Sequence, residues 1–393
     1  MRKNLLAAIV LLVLYIPSVW AAAGYPVRGR VIDRLSREPV AYAAVTITGQ
    51  PGKGAMTDSL GRFEILQVKP GIYSLTASFI GYRTVVTPEY QVSARTPFIE
   101  IEMEEEPEHL NEVVVRPSPF RRTIESPVSM QVIGMREIEK SPGSNRDVSR
   151  IVRYRNDLIV RGGGPSENRF FMDGIEIPNI NHFATQGATG GPVSIVNSDL
   201  VREINFYTGS FPADRAGALS SVLDFRLRDG DLERQTFKAT LGASEVSLSG
   251  SGHVGKKTTY LFSVRQSYLQ FLFKLLGLPF LPNYIDGQLK VKTRFSERDE
   301  LTFLGLVGID NMKLNLDEKG EENEYLLSYL PRIQQETFTV GAVYRHYAGR
   351  HVQSVALSHN YLNNRNTKYR NNDESTPDNL TLRLRGVEQK TTL

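Results

Sequence analysis

Residues 156–183 read NDLIVRGGGPSENRFFMDGIEIPNINHF, and residues 201–229 read VREINFYTGSFPADRAGALSSVLDFRLRD. Four apolar runs, 158–160, 170–172, 201–207 and 221–227, alternate with glycine-rich turns. Short runs of this kind bounded by turn residues read as strands. Asp173-Gly174 sits between two of them, and Asp-Gly in that setting is a strong hairpin signal. Residues 170–172 and 175–177 are therefore expected to pair antiparallel, with 158–161 in the same small sheet. Residues 179–191 then read as an exposed apical loop. Asn179, Asn181, His182 and Phe183 are its candidates for facing a ligand.

From about residue 232 the pattern lengthens. Phe237, Ala239, Leu241 and Ala243 alternate with Lys238, Thr240, Gly242 and Ser244. Leu289, Val291 and Phe295 alternate with Lys290, Lys292 and Arg294, and Phe338, Val340, Ala342 and Tyr344 alternate with polar or small neighbours. A two-residue period reports one buried face, not which solvent the other meets. It suits a membrane barrel strand and a soluble sandwich strand alike. Residues 268–282 (YLQFLFKLLGLPFLP) break the period and read as a helix or loop capping the strands.

The start of the chain has the form of a secretory signal. Arg2 and Lys3 precede the apolar run 5–16, and small residues follow, with cleavage expected after Ala21 or Ala23. The run is short of the ~20 apolar residues a spanning helix needs. No later run reaches spanning length, so any membrane crossing falls to strands. Cysteine is absent, which excludes a lipid-bearing cysteine, disulfides and thiolate metal sites. The net charge of +4 over 393 residues argues against a dedicated nucleic-acid binder.

Residues 25–103 hold short runs rich in Val, Ile, Tyr, Phe and Thr at 25–33, 41–48, 61–66 and 72–80. Turn signals at Pro51-Gly52, 58–61, Pro70-Gly71 and Gly81-Tyr82 separate them, at a spacing that suits a β-sandwich. The segments GRVID (29–33), PVAYAAV (39–45), TDSLGRF (57–63) and PGIY (70–73) make this stretch similar to the carboxypeptidase-regulatory-like domain. That resemblance implies a transthyretin-like sandwich of about seven strands, without catalysis of its own. A charged linker, 104–117, follows. Within it Glu112, Val113, Val114 and Val115 form a β-prone run ahead of Pro117 and Pro119. An extended segment with unpaired backbone groups can add a strand to a partner's sheet edge.

Residues 118–229 form the glycine-punctuated unit. Residues 133–140 read as a strand running into a short helix, and 145–153 have helical spacing with Asn145 as cap. With the Arg161-Gly162-Gly163 turn and Asp173-Gly174, this unit resembles the plug of TonB-dependent outer-membrane receptors. The resemblance makes 112–115 the TonB box. It makes residues 230–393 the first strands of an outer-membrane β-barrel, with Arg161 and Asp173 positioned to pair inside it. The fold class is then mainly β: sandwich, small α/β plug, and partial barrel. The implied partners are a TonB-type energy-coupling protein of the inner membrane, outer-membrane lipid and a small solute. The implied place is the outer membrane, with the N-terminal domain in the periplasm.

The chain departs from the family pattern at three points. Residues 150–154 run almost directly into 156–161, without the proline-glycine loop usual there. Residues 216–221 (AGALSS) replace the segment typical of glycan importers, which argues against an obligate SusD-like lipoprotein partner. Family barrels have about twenty-two strands, and residues after 235 supply a minority of these at about 10 residues per strand. With no aromatic residue at the end, the sequence reads as a piece of a longer protein.

Three motifs carry less than they suggest. Gly250-Ser251-Gly252-His253-Val254-Gly255 matches GxGxxG, but β-prone residues follow it where a dinucleotide site needs a helix. His109 and Glu112 have zinc-like spacing without a third ligand in view. The 161–164 turn could cradle a phosphate, yet no Lys-Ser/Thr pair follows it. No catalytic residue, metal site or cofactor is assigned. The alternatives to a receptor are a binding module or receptor remnant without transport, and a signal-transducing receptor.

Overall fold

Nine short strands open the fold. They are β1 (Tyr25–Asp33), β2 (Ala44–Ile47), β3 (Gln50–Met56), β4 (Arg62–Val68), β5 (Gly71–Tyr73), β6 (Leu75–Ser78), β7 (Val85–Val86), β8 (Tyr90–Val92) and β9 (Ile99–Met103). The computed structural model describes residues 24–94, 96–106, 130–140, 167–184, 193–215, 217–242, 244–317, 320–349 and 351–393. Sheets β4-β1-β9 and β3-β2-β6-β7 face each other, and β5 pairs with β8. Alternate residues of β1, β2, β4 and β9 (Val27, Val31, Val45, Ile47, Phe63, Ile65, Ile99, Ile101) fill one core. The strand count exceeds the family expectation because 72–80 divides into β5 and β6 at Ser74. Pro51-Gly52 lies within β3 rather than in a turn. The reversal falls instead at Thr48-Gly49, where Gly49 takes φ +80°.

The second unit is a five-stranded sheet ordered β10-β15-β16-β11-β12. Its elements are β10 (Met130–Gly134), α1 (Met135–Lys140), β11 (Asn168–Met172), β12 (Ile175–Ile177), β13 (Asn181–His182), β14 (Val193–Ser194), β15 (Val201–Tyr207) and β16 (Ser221–Leu227). β11 and β12 pair Phe170 with Ile177 and Met172 with Ile175. Asp173 and Gly174 turn between them with φ of 49° and 93°, the two positive values a tight two-residue hairpin requires. β11 also runs parallel to β16, placing Phe170 beside Leu223 and Met172 beside Phe225.

The last unit is one antiparallel sheet of eight strands in sequence order. These are β17 (Thr236–Leu241), β18 (Glu245–Val254), β19 (Thr258–Ser267), β20 (Phe280–Arg294), β21 (Asp299–Leu314), β22 (Arg332–Ala348), β23 (His351–Tyr369) and β24 (Leu380–Thr392). α2 (Leu269–Leu275) and α3 (Glu321–Tyr329) lie in the connections at one end. Of the apolar stretch 268–282, only its first half is helical. Pro282 lies in β20, where it needs no donor toward β19, whose pairing ends at Ile285. The GxGxxG residues Gly250 and Gly252 lie in β18, and Gly255 makes the hairpin turn.

The polarity of this sheet decides its setting. Its concave face buries Ser263, Arg265, Asp286, Gln288, Lys290, Thr302, Asp310, Gln335, Thr337, Thr339, Ser358 and Asn360. Its convex face exposes Val264, Leu289, Phe303, Val307, Ile309, Phe338, Val340, Val355 and Leu357. A soluble sandwich buries the apolar side. Here the polar side is covered and the apolar side is bare, as in a membrane barrel. Among the described residues no helix is long and apolar enough to cross a membrane. The concave face is covered by the second unit. Ile175, Ile177, Ile195 and Phe225 share one core with Leu261, Leu304, Leu306 and Val343. Gly341 makes room for this contact, since a Cβ there would stand 2.8 Å from Ile175 Cδ1.

A Cβ at Gly174 would stand in ordinary contact, 3.9 Å from Val343 Cγ2, so substitution there is penalised chiefly through φ. Gly174→Val is expected to cost about 1–3 kcal/mol from backbone strain. Gly174→Asn should cost clearly less, because Asn tolerates the left-handed region. Hydrogen exchange across 168–177 in the two variants checks this.

Candidate functional site

The loop after β12 was expected to be exposed. The structure corrects this: Asn179, Asn181 and His182 are buried, His182 completely, and Phe183 is half-buried. The reason is hydrogen bonding that only the neighbouring sheet can satisfy. Within the loop, the Asn179 side chain accepts from the Asn181 N–H at 3.0 Å and donates to its carbonyl at 2.7 Å. β13 then pairs with β14, and the loop turns its polar groups onto β20, β21 and β22.

His182 is the centre of that contact. Its ring stacks on Tyr284 with centroids 4.1 Å apart. Nδ1 lies 2.5 Å from Asp310 Oδ1, and Nε2 lies 3.1 Å from Asp286 Oδ2. A neutral imidazole has one donor and one acceptor nitrogen, whereas the imidazolium has two donors. Two carboxylate oxygens facing both nitrogens therefore select the charged ring. Burial opposes that charge, but Asp310 and Asp286 outweigh it and raise the His182 pKa above its ordinary value.

The same carboxylates serve other partners. Asp310 Oδ2 accepts the Phe183 N–H at 2.7 Å, a bond that holds Phe183 at φ +53°. Such a backbone is strained for a bulky residue. Asp286 Oδ1 accepts from Arg265 Nε at 2.9 Å. Arg265 also donates to the carbonyls of Ser194 and Ile195 at 2.6 and 2.9 Å, and it lies 3.5 Å from Glu245. Glu245 accepts from the Tyr284 hydroxyl at 2.5 Å. Further along the seam, Gln335 accepts the Ala184 N–H at 3.1 Å, and Asn197 donates to Ser263 Oγ at 2.7 Å. The arrangement is a fixed set of charges joining loop to sheet. Nothing in it is placed as a nucleophile or an open cavity.

Of the other residues singled out in the sequence, Glu112, Val113, Val114, Val115, Arg161, Gly162 and Gly163 lie outside the described residues. So do the 145–153 helix, the 158–160 strand and residues 185–192. Asp173 was expected to pair with Arg161. Among the described residues its ion-pair partner is Lys290, at 2.9 Å, and its Oδ1 accepts the Leu227 N–H at 3.2 Å. Arg265, Asp286, Asp310 and Gln335 were missed because a period-two strand gives their face but not what covers it. The usable signal was an ionisable residue recurring on the polar face of successive strands.

Residues 27–115 match the CarboxypepD_reg-like domain. The chain is 24% identical over 224 residues to the TonB-dependent transporter Oar of Myxococcus xanthus, covering 52% of this chain and 20% of that protein. A mutant of the ferric enterobactin receptor PfeA from Pseudomonas aeruginosa aligns over 67% of this chain and 44% of its own, with 16% identity and a TM-score of 0.44. The outer membrane transporter YddB of Escherichia coli aligns over 62% and 40%, with 10% identity and a TM-score of 0.41. The chain thus spans about a fifth of the transporter's length.

His182→Gln keeps a similar reach but cannot donate to both carboxylates as a cation. Breaking one side of a buried charged set costs about 3–5 kcal/mol. Hydrogen exchange of 179–184 and 193–195 is expected to accelerate in this variant. In the wild type the His182 contribution is complete below its ordinary value of 6.5 and is lost as pH rises through the raised folded value. A pH series of exchange, corrected for the intrinsic rate, should show that loss in the wild type and not in His182→Gln.

Proposed function

We propose that this chain acts as a TonB-dependent outer-membrane receptor. In this reading it binds a small solute from outside and admits it to the periplasm without breaking a bond. Residues 118–229 are the plug, the eight-stranded sheet is barrel wall set in lipid, and the sandwich stands at the periplasmic end. Energy enters when a TonB-type protein of the inner membrane pairs with 112–115 and draws the plug aside.

One observation carries the reading: a sheet whose polar face is buried and whose apolar face is bare, wrapped on a glycine-turned α/β unit. Apolar side chains facing outward on five adjacent strands, β19 to β23, have lipid as their natural solvent. The charged seam beneath is suited to a part that must be held firmly yet come away whole. Polar groups released from it can be rewetted, so the resistance to separation comes from the apolar core that Ile175, Ile177 and Ile195 share with Leu304, Leu306 and Val343. Similarity to a TonB-dependent transporter supports the same reading.

The full-length protein is expected to fractionate with outer membranes, its mature N-terminus at Ala22 or Gly24. Recovery from the cytosol with Met1 intact would overturn the reading. Val114→Pro is expected to abolish uptake and leave solute binding unchanged, because proline cannot donate within a paired strand. Retained uptake in that variant would place the box elsewhere.

A further inference from the structure

β20 carries Lys290, Lys292 and Arg294 at alternate positions, all on the concave face. Strand geometry puts such neighbours about 7 Å apart. Three cations in one row repel unless acids stand between them. Four carboxylates do so, each from a different part of the molecule. Asp173, at the plug hairpin turn, lies 2.9 Å from Lys290. Asp229, in the link from plug to sheet, lies 2.7 Å from Lys290 and 3.2 Å from Lys292. Glu300, at the start of β21, lies 3.0 Å from Lys292, 3.6 Å from Arg294 and 3.2 Å from Arg345. Glu100, on β9 of the sandwich, accepts from both terminal nitrogens of Arg294, at 2.7 and 2.5 Å.

Glu100 is thus the far end of a continuous row of charges that begins at the plug hairpin. Within the sandwich it is also held by Arg30 at 2.8 Å and by buried Arg37 at 2.9 Å. Arg37 lies over the Tyr347 ring of β22 at 4.6 Å. Burial opposes the Glu100 charge, but Arg294, Arg30 and Arg37 hold its pKa down at about 2. Without the sandwich, the remaining ion-pair partner of Arg294 among the described residues is Glu300, which Lys292 and Arg345 already share.

We propose that the sandwich is a docked control element, and that the basic row of β20 carries its docked or undocked state to the Asp173 hairpin of the plug. Undocking leaves Arg294 short of a carboxylate. Arg294 then draws Glu300 from Lys292, Lys292 draws Asp229 from Lys290, and Lys290, short of one carboxylate, holds Asp173 the more tightly. A periplasmic event that lifts the sandwich would thereby tighten the Asp173 hairpin on the sheet, and re-docking would loosen it before any pull on the plug. The names plug and barrel rest on the proposed function; the ionic row does not.

The test measures hydrogen exchange on the full-length protein in outer-membrane vesicles, without solute or TonB, over 96–106 and 168–177. Glu100→Gln removes the contact from the sandwich side. Arg294→Gln removes it from the sheet side and leaves the sandwich's own Arg30 and Arg37 pairs intact. Arg28→Gln, which removes only the exposed Arg28–Glu64 pair, is the control. Both contact variants are expected to speed exchange about tenfold over 96–106, as partial opening of a unit does. Over 168–177 Glu100→Gln is expected to slow it and Arg294→Gln, which frees Glu300 for Lys292 and Asp229 for Lys290, to speed it, while the control matches the wild type. Acid should act on the wild type as Glu100→Gln does, since the Glu100 contribution is present above its ordinary 4.5 and fades as pH falls toward 2. Faster exchange over 96–106 with 168–177 unchanged would overturn the proposal, as would no change in either segment. Because uptake is not read, a failed receptor assignment and a failed ionic row give different results.

Discussion

The structure depends on a polar seam buried between an inserted α/β unit and the concave face of a sheet. Lys290, Asp286, Arg265 and Asp310 cannot stay dry without partners, since isolated buried charges are strongly disfavoured. Beside the Arg265–Asp286 pair within the sheet, their partners come from outside it: Asp173 from a hairpin turn, His182 from a loop, and the Ser194 and Ile195 carbonyls from the segment after it. Neither half is satisfied alone. The sheet needs the insert to neutralise its inner face, and the insert needs the sheet to order the 179–184 loop.

Two regions of the seam are built differently. Around His182 the charges cluster about one stacked imidazolium, with Phe183 held in a left-handed backbone by the same carboxylate. Along β20 they run in a row that leaves the insert and ends on the sandwich. The first region fixes one loop. The second joins three units whose apolar cores are otherwise separate or only partly shared. Apolar contact supplies most of the cohesion within each unit, while charge decides how the units meet.

Much of the fold was legible in the chain. β1, β15 and β16 fall where their apolar runs lie, and the Asp173-Gly174 turn follows from its dipeptide, because these are local preferences of strands and turns. The strand-into-helix passage read at 133–140 was legible for the same reason, although its strand begins earlier, at Met130. The sandwich was read less well. Ser74 divides an apparently continuous run, and β3 forms through Pro51-Gly52 because the tighter Thr48-Gly49 reversal takes the turn.

The sequence by itself determined the strands, the turns, the hairpin and the alternation of polar and apolar faces in residues 236–392, since each is written in neighbouring residues. It also showed that Lys290, Lys292 and Arg294 share a face. What covers that face was decided only by tertiary structure. Period two places Asp286 and Asp310 on a polar side but cannot tell water from a histidine 104 or 128 residues away in the chain. The same limit turned 179–184 from an expected surface loop into a buried contact. Its asparagines and histidine are residues that water or protein can satisfy equally well, and the choice lies with whichever partner the fold brings to them.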